Sequence, residues 1–393
     1  MKFRVLSSRV GHVEREESGV VVFNAEAQGR RELKVDVTSR MVIEPELSQR
    51  LRVFGFVSAL LIVLIHSTPN PALGTWQWWV AELVGHDGLC RIAVPYFFLA
   101  GGFFLAGHVC EECWWKREVN KRVRTLAIPY FLWIGIGLLV HFGLWFGIQK
   151  VGKVCGFPNP FYGPMHIWIV NTFGINPFVN KIGILWFVRD LFALVVLSPF
   201  LLFMLKRFKW FFIAIIFVLY GAVAILQIEM DKGWYNFFEY FISLRGLCYF
   251  VAGLGLRYVC VAQWIKYIKI IGILSLMMLV GKIILIRYSH LEFVAAIDVF
   301  MVPALMAGLF YVLDRIKFPT WITGNAFAVY LIHQNFLLFS IVAISLLNLR
   351  PLMDTSIVIW LLRFAFAVFM SIAIACCMRR FLPRVANLLF GGR

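Results

Sequence analysis

The chain has 393 residues, of which 61% are apolar and 15% charged, with a formal net charge of +17. Soluble globular proteins run to about 45–50% apolar and about 25% charged, so a soluble domain is excluded; the surplus lies in repeated apolar runs of about 18 residues or more, long enough to cross a bilayer as helices. In such a chain a basic balance first reflects Lys and Arg in cytoplasmic loops, which makes membrane lipid an expected partner and nucleic acid not.

Residues 1–50 read as a cytoplasmic N-terminal extension. They are polar and rich in acid (Glu14, Glu16, Glu17, Glu26), and Val20 and Val22, then Leu33, Val35 and Val37, alternate on either side of Gln28-Gly29-Arg30. That pattern predicts a small β-hairpin or a disordered segment. No cleavable signal is expected, because Arg50 and Arg52 lead directly into the first apolar run, as in a signal anchor.

Residues 51–380 predict an all-α membrane domain of about ten spans, near 52–68, 91–109, 127–149, 182–205, 210–228, 238–257, 266–287, 292–313, 321–347 and 355–378. Helices are required because hydrocarbon offers no partner to an unpaired backbone amide, and the runs lack the alternation of a barrel strand. Lys and Arg concentrate in alternate connections: Lys116, Arg117, Lys121, Arg122 and Arg124; Lys206, Arg207 and Lys209; then Arg379, Arg380 and Arg384 toward a basic tail at 381–393. This asymmetry places both termini in the cytoplasm. No internal repeat is evident, which lowers the prior for a secondary transporter.

The eight Cys do not form a disulfide framework, although Cys90 and Cys155 would both face outward and could pair. Cys110 and Cys113 make a single CxxC near His108 with no fourth ligand at matching spacing, so no metal site is expected.

Ionisable groups inside spans are costly and each raises a functional hypothesis. Arg52 stands at the inner end of the first span and His66 lies fourteen positions on, which puts them on nearly one face and about 21 Å apart in depth. An imidazole can accept a hydroxyl proton at neutral pH, and an arginine can grip phosphate. The bland alternative is a snorkelling arginine and a packed histidine. His333, about 18 Å along its span from Trp321, and Arg363, about 12 Å from Thr355, reach comparable depth and could line one polar cavity with His66. Arg189 with Asp190, and Glu292 with Asp298, stand near outer span ends as sugar ligands or structural ion pairs; Arg91 could bind acceptor or lipid headgroup. No His is followed by Asp five positions later, and no Walker A or Gly-x-Ser-x-Gly pattern occurs.

Several segments together resemble the acyltransferase 3 family. They are Leu51-Arg52-Val53-Phe54 with Ile65-His66-Ser67; Arg91 through Pro95-Tyr96, ending in Ala100-Gly101-Gly102-Phe103; Lys121-Arg122-Val123-Arg124 before Ile128-Pro129-Tyr130; Leu185-Trp186-Phe187 through Ser198-Pro199; and Tyr330-Leu331-Ile332-His333. The resemblance covers roughly residues 50–380 and is nearest to small single-domain members such as the enterobacterial common antigen O-acetyltransferases. One departure is the spacing. Ten residues usually separate the family's basic residue from its histidine, whereas thirteen separate Arg52 from His66, and Gly55 stands where the arginine would fall. The extra turn nearly restores the face and shifts relative depth by about 4.5 Å.

The resemblance implies a multi-pass enzyme of the bacterial cytoplasmic (inner) membrane, transferring an acyl group from cytoplasmic acyl-CoA, usually acetyl-CoA, to a hydroxyl of an extracytoplasmic or lipid-linked glycan. No bound cofactor is expected. His66 is the expected general base with Arg52 beside the route, Lys121, Arg122 and Arg124 the donor-binding cations, and Arg91, Arg189, Asp190, Asp298, His333 and Arg363 the acceptor or cavity residues. The alternative is a lipid-linked glycan flippase or secondary transporter without chemistry.

Overall fold

A computed structural model describes residues 45–109, 113–150, 185–229, 242–257, 265–288, 291–313, 316–353 and 355–392. The predicted hairpin of the extension, Cys110 and Cys155, and the side chain of Glu292 lie outside the described residues. Within them regular structure is entirely helical. The helices are α1 Pro45–Ser67, α2 Trp76–Val80, α3 Ala93–Ala106, α4 Trp114–Arg122, α5 Ile128–Lys150, α6 Trp186–Phe208, α7 Trp210–Glu229, α8 Leu244–Leu256, α9 Ile265–Arg287, α10 Leu291–Val312, α11 Thr320–Thr323, α12 Ala326–Leu346, α13 Ile357–Phe381 and α14 Pro383–Phe390.

Among the described residues seven helical stretches are long and apolar enough to cross a membrane: Pro45–Ser67, Trp76–Ala106, Trp114–Gly147, Trp186–Phe208, Ile270–Arg287, Ala326–Leu346 and Ile357–Phe381. Each coincides with a predicted span. Three shorter apolar stretches, Trp210–Val223, Leu244–Leu256 and Ile297–Val312, fall on the predicted fifth, sixth and eighth. This is the architecture of a polytopic membrane protein.

Three helical stretches begin earlier than predicted, the first at Pro45, inside the predicted extension, instead of at residue 52. The second starts at Trp76 instead of Arg91, and its first half is interrupted by a π turn at Ala81–His86 and a 3₁₀ turn at Leu89–Ile92. Glu82, His86 and Asp87 hide this segment from a hydropathy reading. Thr75 starts it, its hydroxyl accepting the Trp78 N–H at 3.2 Å. The third helical stretch starts at Trp114, and α4 passes into α5 through a π turn at Val123–Ala127. Pro129 explains that turn: it has no N–H for the carbonyl of Thr125, and its ring would crowd that carbonyl in a regular helix.

α1 is the hub, packing on α3, α12 and α13. α3 crosses α8 at backbone contact, because a Cβ on Gly102 would meet the Phe250 carbonyl oxygen at 2.0 Å and one on Gly253 would meet that of Leu99 at 2.0 Å. The Gly101-Gly102 pair of the second span is thus a helix-crossing device. α9 and α10 form an extensively packed pair that also lies on α7, and α14 packs on α13 and α5. There Trp133 donates its indole N–H to the Leu389 carbonyl at 3.0 Å, and its ring stacks on Phe390 with centroids 6.2 Å apart. Residues 383–390 of the predicted basic tail are therefore a docked helix.

Candidate active site

α1 ends at Ser67, so His66 lies in its last turn. Its neighbour Ser67 is buried, whereas His66 itself is exposed and has no hydrogen-bond partner among the described residues. His333, on α12, is wholly enclosed at 0% exposure. The two imidazole rings stack, with centroids 5.5 Å apart and planes 29° from parallel. The His333 Nδ1 lies 2.7 Å from the Tyr330 carbonyl oxygen and 3.1 Å from that of Val329. A carbonyl only accepts, so Nδ1 carries the proton in the neutral ring and Nε2 holds a lone pair. That Nε2 is buried with no partner.

α13 closes the group from a third side. Arg363, itself buried, donates from Nη1 to the Ser67 carbonyl at 3.3 Å and from Nε to the Ser340 hydroxyl at 3.3 Å. Trp360 donates its indole N–H to the Ser67 hydroxyl at 3.2 Å, and that hydroxyl donates to the Leu64 carbonyl at 2.9 Å. His66, His333 and Arg363, matched in depth by sequence, are thus brought together at the end of α1, with Trp360, Ser67 and Ser340 fixing the helix end beneath them.

Arg52 is exposed near the other end of α1, about 21 Å from His66 by helix rise. The structure does not bring these two together; it joins them by a wall of rings. Tyr96 donates its hydroxyl to the Leu51 carbonyl at 2.5 Å, next to Arg52. Successive centroid separations are then 5.7 Å from Tyr96 to Phe97, 5.6 Å to Phe187, 5.6 Å to Tyr330 and 6.3 Å to His333.

Beyond the C-terminal end of α3, the α4 helix and the π turn after it form a pocket of about 540 Å³ lined by Cys113, Lys116, Arg117, Asn120, Lys121, Arg124 and Thr125. Of the three cations expected to bind the donor, Lys121 and Arg124 line this pocket. Arg122 does not: its Nε lies 3.4 Å from the buried Glu118 carboxylate, one helical turn back, so it faces inward. Lys121 also touches Glu118, at 3.3 Å. Lys116 and Arg117 read as ordinary loop charge in the sequence, and the helical form of α4 is what turns them into the same pocket. Four cations around one concavity make it electropositive.

The other polar candidates form two further groups. Arg91 pairs with Asp87 at 3.0 Å and with Asp298 at 3.3 Å, while Lys282, on α9 and wholly buried, contacts Asp298 at 2.7 Å and Asp87 at 3.2 Å and donates to the Asp87 carbonyl at 2.7 Å. Lys282 was not singled out by sequence; a lysine five residues inside the end of an apolar run was the available signal. Arg189 and Asp190 pair at 2.7 Å, and the second oxygen of Asp190 accepts the Ser243 N–H at 2.9 Å at the start of α8. That makes Asp190 a structural tie between α6 and α8, separate from the Arg91 group. Among the described residues no three His, Cys, Asp or Glu converge on a possible metal position, and Cys90 is a buried free thiol.

The chain is similar to the succinoglycan biosynthesis protein ExoH of Rhizobium meliloti, with 24% identity over 173 residues; the match covers 42% of this chain and 45% of that protein. No solved structure matches. A family model described as an acyltransferase domain matches residues 52–380, which runs from Arg52 through every helix that builds the histidine site and the basic pocket. Over that length the chain belongs to the acyltransferase 3 family of membrane acyltransferases.

Proposed function

We propose that this protein is a membrane O-acyltransferase that takes an acyl group, acetyl in the simplest case, from cytoplasmic acyl-CoA and transfers it to a hydroxyl of an extracytoplasmic or lipid-linked glycan. The single observation that carries the reading is the exposed, unpartnered His66 ring at membrane depth, set in a buried polar frame. The named role of the ExoH relative in succinoglycan biosynthesis supports a polysaccharide acceptor.

The membrane is the cytoplasmic one and the span count is ten, with both termini inside; seven long helices and three shorter apolar ones at the predicted positions support the count, and the distribution of Lys and Arg supports the orientation. Lys116, Arg117, Lys121 and Arg124 hold the phosphates of the CoA nucleotide in their pocket. The pantetheine arm follows the ring-lined route past Arg52. His66 stands about two-thirds of the way across a hydrocarbon core of about 30 Å, which an extended arm can reach.

His66 accepts the proton of the acceptor hydroxyl as its oxygen attacks the thioester carbonyl. The carbon–sulfur bond breaks, and the imidazolium returns the proton to the departing CoA thiolate. Arg363 fixes the end of α1 and brings a buried positive charge close to where the carbonyl oxygen becomes negative.

The experiment uses membranes containing the whole chain, labelled acetyl-CoA and a glycan acceptor. CoA release stimulated by acceptor, with label recovered on the glycan, is the expected result, and His66→Ala should lower it by about 10²–10⁴-fold. Saturable movement of glycan across the membrane without CoA release would overturn the assignment.

A further inference from the structure

His333 is held by its own helix. With Nδ1 bonded to the Tyr330 carbonyl at 2.7 Å, the ring's other nitrogen is directed away from α12. This Nε2 is fully buried, carries a lone pair and has no donor. A buried acceptor without a donor costs stability, so its persistence calls for a group that arrives later. The nearest ring is His66, stacked at 5.5 Å and equally without a hydrogen-bond partner. A neutral imidazole facing a second neutral imidazole cannot satisfy it edge to edge while the rings lie 29° from parallel. The site therefore offers one buried acceptor nitrogen, on His333, beside the exposed ring of His66.

We propose that this pair reads a vicinal diol: His66 takes the proton of the reacting hydroxyl, while His333 Nε2 accepts a hydrogen bond from the hydroxyl on the adjacent carbon. The inference rests on the acyltransferase reading and sharpens its substrate class, from any hydroxyl to one with a hydroxyl neighbour. Two adjacent hydroxyl oxygens span less than the 5.5 Å between the ring centroids, so one diol can address both rings, and reaching the enclosed His333 Nε2 requires the His66 ring to shift aside. An acceptor lacking the second hydroxyl leaves His333 Nε2 unpaired, and that penalty falls on transfer to the analogue.

The test uses membranes containing the full chain, acetyl-CoA, and cis-cyclohexane-1,2-diol, trans-cyclohexane-1,2-diol and cyclohexanol as minimal acceptors, with CoA release as the readout. The wild-type protein should favour the better diol over cyclohexanol by about 10–100-fold in kcat/KM. His333→Phe, which keeps a ring to stack on His66, should bring that ratio close to one, chiefly by lowering transfer to the diol. His333→Gln, which restores an acceptor oxygen, should recover part of the preference. A wild-type ratio near one, or an unchanged ratio in His333→Phe, overturns the proposal; loss of both acceptors together in His333→Phe, with the protein still eluting as folded in detergent, overturns it too. Two further arms tell the readings apart: unchanged transfer in His66→Ala removes the base assignment whatever the diol ratio, and wild-type membranes that release no CoA with a glycan acceptor or with any of the three minimal acceptors remove the acyltransferase reading itself.

Discussion

Two clusters of ionisable groups lie inside the helical bundle, and they are completed differently. Around Lys282 the charges are paired: Asp87 and Asp298 face Arg91 and Lys282, Glu82 stands close to them, and the lysine ammonium has three acceptors within 3.2 Å. Around His66 two imidazoles stack with lone pairs that nothing answers, although the frame behind them, Trp360, Ser67, Arg363 and Ser340, is hydrogen-bonded throughout. A buried charge set that closes on itself ties helices together and fixes their register. One left open at a single point keeps unused hydrogen-bonding capacity there. Both contain ionisable groups among apolar helices; residue type and hydrogen-bond accounting separate them.

The largest effects should come from breaking each cluster at its centre. His66→Ala should cut acyl transfer by about 10²–10⁴-fold and leave the thermal midpoint of the solubilised protein nearly unchanged, since the ring answers no partner. Lys282→Met should do the reverse: it strands Asp87 and Asp298, costs about 3–5 kcal/mol of stability, and leaves kcat of the surviving folded protein near wild type. The paired change Lys282→Met with Asp298→Leu should be milder than Lys282→Met alone, because only a lone charge bears the full desolvation cost. If Lys282→Met instead lowered kcat with stability intact, the closed cluster would belong to the chemistry and the contrast would collapse.

A smaller effect sharpens the same distinction within one helix. Lys121→Gln with Arg124→Gln should raise the KM for acetyl-CoA by about tenfold, less so at high salt, because both line the basic pocket and exposed phosphate contacts are screened. Arg122→Gln should leave that KM alone and cost about 1 kcal/mol of stability through its lost pairing with buried Glu118. The smallest effect belongs to the frame: Trp360→Phe removes one bond to Ser67, and should cost about 1 kcal/mol in stability and less than about tenfold in transfer.

Much of the site was legible in the sequence because depth in a helix is arithmetic. A rise of about 1.5 Å per residue put His66, His333 and Arg363 at one level, and the three helices that carry them pack together. Direction around a helix was less legible. Arg122 lies in the same basic run as Lys121 and Arg124, but a buried carboxylate one turn away draws it inward. Lys116 and Arg117 join the pocket only because α4 is helical where a loop was expected. Lys282 escaped notice because its partners come from a segment, Asp87–Arg91, that reads as a loop, and from Asp298, read as part of a pair with Glu292. Arg189 and Asp190 were seen as a pair, but their separation from Arg91 depends on which helices meet, and no periodicity encodes that.

The crossing of α3 and α8 sets a limit on motion. With Gly102 against the Phe250 carbonyl and Gly253 against that of Leu99, no side chain lies between the two backbones to serve as a bearing. Such a joint can neither slide by a residue nor roll without driving a carbonyl into a Cα, so the two helices travel as one strut. Asp190 extends the strut to α6 by gripping the Ser243 amide at the start of α8. On the other side of α1 the tie is made by side chains, the Trp360 and Arg363 bonds from α13 to Ser67, so that joint can yield by a change of rotamer where the α3–α8 crossing cannot.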